Sequence, residues 1–416
     1  MAKEKKKALQ QSEELQKQKK ILRFNSESEE EESKPKRNFS WIVIVIILLC
    51  LGAGGFWLMN RTQYYNDFEL LSVVENSDAT QMSYLAYNGS LVKYSKDGIT
   101  YLDKAGNAVW MESYKMKQPM VVVSDEYVAV ADLNGNSVYI FNAGGKVSAI
   151  ETPYTICNLD VADQGVFAVV LENESENFIE LYDKNGKNLV NIRTTIADSG
   201  YPLDIALSDD GSKMVSSYVT VEGLTLKNSI AAYNFGEVGQ NETDRLVGGF
   251  QLEGTIVPKV EFLNNDTICA FGDNQFRFYS MREKPSEKGI IDDFSKEIQS
   301  IFYNSRYVGI VEKGTGEENA LYYLRVFDTN GNERFSKALN FTYNNIYATE
   351  EEIIIVGNAE SRIYSFQGNL KFSYSFPREV NNIVPTGSPQ RYIVVYDDTT
   401  EIIKLRYTKE DDEKVQ

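Results

Sequence analysis

The chain has 416 residues, 43 of them basic and 60 acidic, with a formal net charge of −17 and no histidine. The 59 N-terminal residues carry 11 basic and 8 acidic side chains, leaving 32 basic and 52 acidic for the remaining 357. A body that acidic argues against a nucleic acid partner, and the missing histidine removes the usual general base and the commonest metal ligand.

Residues 1–40 read as a charged cytoplasmic tail. Residues 3–23 are rich in Lys, Gln and Glu, with sparse Leu9, Leu15, Ile21 and Leu22. That pattern fits either a solvated, partly helical segment or a basic helix lying on the inner leaflet. Residues 26–33 (SESEEEES) form an acidic run that cannot build a core.

The next element is a predicted membrane span, Trp41 to Met59 (WIVIVIILLCLGAGGFWLM), without a charge over its length. As a helix it covers roughly 28 Å, close to the hydrocarbon thickness of a bilayer. Trp41 and Trp57 suit the two interfaces. Lys34, Lys36 and Arg37 precede the run and only Arg61 closely follows it, so the positive-inside rule puts the N-terminus in the cytoplasm and the body outside. About 40 residues before the apolar core argue against a cleaved signal peptide. Leu49 before Cys50 argues against lipidation there. Gly52-Ala53-Gly54-Gly55 is a small-residue patch that either allows close helix contact or simply faces lipid.

Residues 60–66 form a short stalk, 67–407 the body, and 408–416 an acidic C-terminal tail. In the body, short runs of Val, Ile, Tyr and Phe alternate with Asp, Asn and Gly, which predicts an all-β domain. One unit recurs: an aromatic strand, a glycine turn and a second strand, as in 99–110 (ITYLDKAGNAVW), 138–150, 179–192, 324–335 and 363–372. Its turn glycines are Gly106, Gly145, Gly186, Gly331 and Gly368. Asp and Asn bond their own backbone in such turns, and glycine takes positive φ without a steric penalty. A polar turn and an apolar strand precede each unit, for example SDEYVAVAD (124–132) and DQGVFAVVL (163–171). Four strands every 40–50 residues is about the propeller period. Counting gives eight four-stranded blades, although the irregular copies between Gly186 and Gly331 leave seven open. The eighth unit runs out of chain after its third strand, so Phe68 to Val74 is expected to close the ring as the missing outer strand.

The stretch Leu102-Asp103-Lys104-Ala105-Gly106-Asn107-Ala108-Val109-Trp110 resembles the quinoprotein-like propeller repeat, whose outer hairpin carries an Asp, a Gly and a Trp. Tyr182 to Lys187 and Phe327 to Asn332 are similar but lack the Trp. Leu207-Ser208-Asp209-Asp210-Gly211-Ser212 resembles the inter-strand turn of WD-like repeats. The overall layout is similar to a family of unknown function of single-pass membrane proteins from Gram-positive bacteria, with an extracytoplasmic propeller. That resemblance implies a fold and a location, not an activity.

No motif specifies catalysis, a cofactor or a metal. There is no Cys-Cys pair of the kind quinoprotein dehydrogenases use, and Cys157 and Cys269 read as small core residues. Counted as calcium loops, Asp183 and Asp328 lead to Thr194 and Leu339 at the twelfth position, so they read as hairpin turns. Glu172, Glu174 and Glu176 read as a solvated acidic loop.

The leading expectation is a binding or scaffold module of the cell envelope, with a protein or peptide partner and the bilayer as its anchor. Contacts are expected at insertions 172–177, 220–228, 236–245, 282–289 and 312–320. An envelope enzyme acting on glycan or peptide is the alternative and predicts carboxylates converging in the channel. A binder predicts an exposed apolar or aromatic patch on one face. A third reading is a sensor signalling to the tail.

Overall fold

The computed structural model describes residues 12–20, 45–48, 63–76, 82–195, 199–294, 296–314, 320–358, 360–388 and 390–408. The chain divides into two units, Met1–Arg61 and Thr62–Gln416. In the first unit, residues 12–20 and 45–48 are helical and exposed. The rest of the predicted span Trp41 to Met59 lies outside the described residues. Among the described residues, no helix is long and apolar enough to cross a membrane.

The second unit is all-β. Its strands form eight antiparallel four-stranded sheets, the blades of a propeller. Blade 1 spans residues 83–113, blade 2 119–151, blade 3 155–194, blade 4 201–252, blade 5 259–291, blade 6 298–339 and blade 7 345–375. Blade 8 combines three C-terminal strands in 382–406 with Asp67–Glu75, which pairs antiparallel with Thr399–Arg406. The count is therefore eight and not seven. The irregular stretch between Gly186 and Gly331 holds the last strand of blade 3, blades 4 and 5 and the first three strands of blade 6, and the long hairpin of blade 4 stretches its spacing.

The core is a set of seams between blades. Eight clusters of buried side chains each join one blade to the next, the last closing blade 8 (Val384, Ile393, Val395) onto blade 1 (Leu91, Leu102). The second strand of a blade faces two seams, and side chains alternate across a strand. In Tyr127–Asp132, Val128 and Val130 pack toward blade 1, and Ala129 and Ala131 toward blade 3. Burial on both faces explains why these strands read as unbroken apolar runs such as EIIIV and RYIVV.

Alternating chain direction sorts the turns. Turns joining strands 1 to 2 and 3 to 4 gather on one face, here the mouth face. Turns joining strands 2 to 3, and the links between blades, gather on the opposite face. The five repeat glycines lie in the third-to-fourth turns, with φ from 80° to 117°. In four of these turns the hairpin seats on the outer strand of the preceding blade. A Cβ on Gly106 would lie 3.2 Å from Val74, on Gly186 2.5 Å from Ile150, on Gly331 2.3 Å from the Ile290 carbonyl oxygen, and on Gly368 3.0 Å from Phe335. Gly145 meets nothing within 4 Å. Glycine is thus required by the neighbouring blade as well as by the turn.

Several expected insertions differ from expectation. Residues 172–177 close as a tight turn, with Glu172 opposite Asn177 and the Asn173 amide donating to Glu176 O at 3.0 Å. Residues 220–228 are a β-hairpin of Lys213–Glu222 and Thr225–Asn234. Residues 236–245 form two short 3-10 turns, and 282–289 run into the outer strand Ser286–Ile291. Of 312–320, residues 315–319 lie outside the described residues. Tyr65 and Asn66, assigned to the stalk, are buried against the ring: the Tyr65 amide donates to Lys371 O at 2.8 Å, and Asn66 Nδ2 donates to Thr408 O at 2.8 Å.

Candidate functional site

The first strands of the blades surround the axis, and their turns on the mouth face are linked to one another. In blade 1, Tyr87 OH donates to Glu126 O of blade 2 at 2.8 Å. The Asp125 amide donates to Asp163 Oδ1 of blade 3 at 2.8 Å, and the Asp163 amide to Asp209 O of blade 4 at 3.0 Å. The Asp210 amide reaches Asn265 Oδ1 of blade 5 at 2.8 Å. Asn264 Nδ2 then donates to Ser305 O of blade 6 at 2.8 Å, and the Ser305 amide to Glu350 Oε1 of blade 7 at 3.1 Å. Each polar turn therefore caps its neighbour's turn, and a chain of hydrogen bonds runs from blade 1 to blade 7.

This arrangement concentrates negative charge. Asp125, Asp163, Asp209 and Glu350 share the mouth. Partial burial, then the charges of Asp163, Asp125 and Asp210, push Asp209 up to about 6. Burial and the charges of Asp163 and Glu350 also raise Asp125. Glu350 belongs to blade 7 and Asp125 to blade 2, so the field is felt around the mouth and not only between adjacent turns.

A second acidic layer lies deeper along the first strands. Asn158 Nδ2 of blade 3 donates to Asp204 Oδ1 of blade 4 at 2.6 Å, and the Val260 amide of blade 5 to Asp204 Oδ2 at 2.8 Å. The Leu207 amide donates to Asp160 Oδ2 at 2.6 Å. Tyr303 OH of blade 6 donates to Glu261 Oε2 of blade 5 at 2.5 Å, and Lys259 Nζ lies 3.2 Å from the same oxygen. Burial raises Asp204 to about 6 against the pull of Lys259. Burial and the Glu261 charge move Asp160 well above the usual carboxylate range. Burial opposes the Lys259 ammonium, but Glu261 and Asp204 more than offset it, so its pKa is raised.

Chemically, the deeper layer is a brace with an acidic surface. Both Asp204 oxygens are held by protein donors, so this carboxylate ties three blades together. The mouth layer is more open, with Asp125, Asp209 and Glu350 exposed to solvent. Its charge suits a cationic group arriving from solution.

The residues singled out from the sequence lie elsewhere. The repeat glycines sit toward the outside of the blades, and Phe68 to Val74 is on the outermost strand of blade 8. Glu176 pairs with Arg193, whereas Glu172 accepts from Tyr201 OH at 3.3 Å and lies against Cys157. Asp183 and Asp328 accept amides of their own hairpins: the Lys187 and Asn185 amides hold Asp183 below its ordinary pKa. Among the described residues no group of three or more His, Cys, Asp and Glu is placed to hold a metal ion. Sequence reasoning missed Asp160, Asp204, Lys259, Glu261 and Tyr303. Their only signal was a charged or polar residue inside an otherwise apolar first strand.

The fold and site define a class: an eight-bladed, all-β propeller with an acidic mouth on its axis. The chain belongs to DUF5711, a family of unknown function whose model matches residues 60–405. A comparison with curated proteins finds no match. Among solved structures, Saccharomyces cerevisiae Sqt1 is similar at 12% identity and a TM-score of 0.53, covering 83% of this chain and 100% of that one. Chaetomium thermophilum Sqt1 bound to the N-terminus of the ribosomal protein L10 is similar at 12% identity and a TM-score of 0.50, covering 76% and 93%. BamB from Moraxella catarrhalis matches at 12% identity and a TM-score of 0.46, covering 81% and 100%. At such identities the likeness concerns the fold alone.

Proposed function

We propose that this protein is a binding or scaffold module of the cell envelope, whose acidic mouth receives a basic segment of a protein or peptide partner. In this reading Trp41 to Met59 spans the membrane, residues 1–40 are cytoplasmic and the propeller is displayed outside. The observation that carries the binding role is the acidic mouth. Carboxylates from blades 2, 3, 4 and 7 are held together there although partial burial, and then their mutual repulsion, raises Asp125 and Asp209. Like charges gathered at a destabilising spacing suit a cationic ligand, which would relieve the repulsion. The Sqt1 structure with the N-terminus of a ribosomal protein supports the idea that a propeller of this kind can hold a polypeptide segment. The charge pattern on the two sides of the apolar run supports the topology.

The test is a photo-crosslinking residue placed at Gln164, exposed in the blade 3 mouth turn, in intact cells. The expected result is a discrete crosslinked partner, competed away by oligo-lysine and not by oligo-glutamate. No crosslink, or equal competition by both, contradicts the proposal.

The enzyme reading has one observation in its favour, the convergence of Asp160, Asp204 and Glu261 near the axis. A general acid or base needs an oxygen turned to substrate, and both Asp204 oxygens are already committed to Asn158 and Val260. The structural role accounts for this layer more fully.

A further inference from the structure

The third strand of each blade ends on the mouth face, so Arg406 marks the mouth end of blade 8, and Asp67 lies opposite it. The chain therefore enters the propeller at the mouth end of the blade 8 rim. Gln390, in the mouth turn of that blade, sits at the same corner: its Nε2 donates to Tyr65 OH at 2.6 Å. Tyr64 and Tyr407 are both exposed there.

Beyond this corner the rim is apolar. Leu70, Leu71 and Val73 on the outer strand of blade 8, and Val109 and Met111 on that of blade 1, are 41–68% exposed. The two strands are neighbours, since the Gly106 turn of blade 1 seats on Val74. Leu70 stands opposite Ile403 and Val73 opposite Glu401, so both use one face of their strand, whereas Glu69, opposite Lys404, uses the other. Among the described residues, the outer strands of blades 3, 4 and 5 expose one large apolar side chain each, Leu189, Leu246 and Ile290, and those of blades 2, 6 and 7 expose none. An apolar patch confined to one sector of the rim calls for a covering surface.

We propose that the rim of blades 8 and 1 rests on the outer surface of the lipid bilayer, so that the propeller stands edge-on with its mouth open to the side. The inference rests on the reading of Trp41 to Met59 as a membrane span. Six residue steps separate Met59 from Tyr65, whose amide is tied to Lys371 O of blade 7. Fully stretched, they reach about 21 Å. The far end of the rim, at Glu75, lies roughly 26 Å further along the strand. The blade 4 hairpin, Thr220 to Lys227, extends from that far face. The face opposite the mouth is therefore beyond reach of the anchoring bilayer, which leaves the mouth face or the blade 8 rim. The side chains decide for the rim. The mouth presents carboxylates, whereas the rim offers aliphatic groups to the acyl boundary and tyrosines at its corner, where phenol rings suit the headgroup level.

The experiment reconstitutes the full chain in phosphatidylcholine vesicles, with a genetically encoded dansyl amino acid replacing Met111 on the rim, Gln164 at the mouth or Leu224 on the far hairpin. Vesicles with and without brominated lipid report depth. The expected result is a blue-shifted emission at the Met111 position, quenched by brominated lipid at least about threefold more than at the other two. The variant Leu70→Glu, Val73→Glu should keep the wild-type melting temperature, because both side chains are exposed. In that variant quenching at the Met111 position should fall to about half or less while the chain still floats with the vesicles. Equal quenching at all three positions, or the strongest at Gln164 or Leu224, overturns the proposal. So does quenching at Met111 that the variant leaves intact, since the tether alone then produces it. A blue shift there without lipid quenching makes a second protein surface the occupant and overturns it too. A chain that does not float with the vesicles defeats the span reading and this inference with it. A floating chain whose Met111 position stays in water defeats this inference alone.

Discussion

Arg406 and Asp67, 339 residues apart in sequence, meet at 2.7 Å between Nε and Oδ2 across the seam that closes the propeller. Their strands, Thr399–Arg406 and Asp67–Glu75, pair along nearly their whole length. The ring is thus completed by the first strand of the second unit, and Asn66 extends the junction to Thr408 with hydrogen bonds in both directions. The ion pair itself is partly exposed and contributes about 0–1 kcal/mol. The ladder matters more, at about 1 kcal/mol for each net backbone hydrogen bond.

Deleting 67–75 should therefore lower the melting temperature of the propeller sharply and expose Thr399–Arg406 as an edge that promotes aggregation. Asp67→Asn should change the melting temperature by no more than a few degrees. Calorimetry on both variants checks the contrast, and an unchanged curve for the deletion would show that the ring does not depend on this strand.

The turn glycines allow a sharper comparison. Both glycines have a positive φ, but Gly331→Ala also places a Cβ 2.3 Å from a backbone oxygen of blade 5, whereas Gly145→Ala keeps open space. Conformational strain alone costs roughly 1–2 kcal/mol, and forced overpacking adds about 1–3 kcal/mol. Denaturant unfolding should find Gly331→Ala the more destabilised by at least about 1 kcal/mol. Equal effects would contradict the seating of each hairpin on the blade before it.

Stability should also depend on pH. Asp204 and Asp209 rise from an ordinary 3.8 to about 6 in the folded protein, and Asp160 rises further in the same direction. The folded state then binds more protons than the unfolded chain, so these groups favour folding below about pH 4 and lose that contribution as pH rises through 6 and beyond. Asp183, held low by its turn amides, acts oppositely and only at more acid pH. Between pH 5 and 8 the melting temperature should fall as pH rises. The double variant Asp204→Asn, Asp209→Asn should flatten that slope, and a slope unchanged in the variant would rule out these carboxylates as its source.

The proposed topology is open to direct attack. Protease added to whole cells should degrade the propeller or release it from the cell while a tag on residues 1–40 stays protected. A propeller that survives in intact cells and is digested only after lysis would place it inside.

Much of the architecture could be read from residue patterns because a propeller repeats short-range chemistry. Asp103, Asp183 and Asp328 each accept amides two and four residues on, so these turns are local and visible in the sequence. The unbroken apolar second strands were visible too. The mouth was not, because a period of 40 to 50 residues does not say which turns meet. The polar turns at Asp125, Asp163 and Asp209 were recognised as turns, but their hydrogen bonds cross 38 to 55 residues between blades. In the sequence 220–228 shows only as an insertion, because Val221 and Leu226 continue strands whose flanking partners have already ended.

The binding role rests on the acidic mouth. Calorimetric titration of the full chain with a short Lys/Arg-rich peptide should show binding that weakens with salt. It should weaken about tenfold or more in the triple variant Asp125→Asn, Asp163→Asn, Asp209→Asn, while an acidic peptide of equal length does not bind. Identical affinity for wild type and triple variant, or no heat with the basic peptide at low salt, would contradict it.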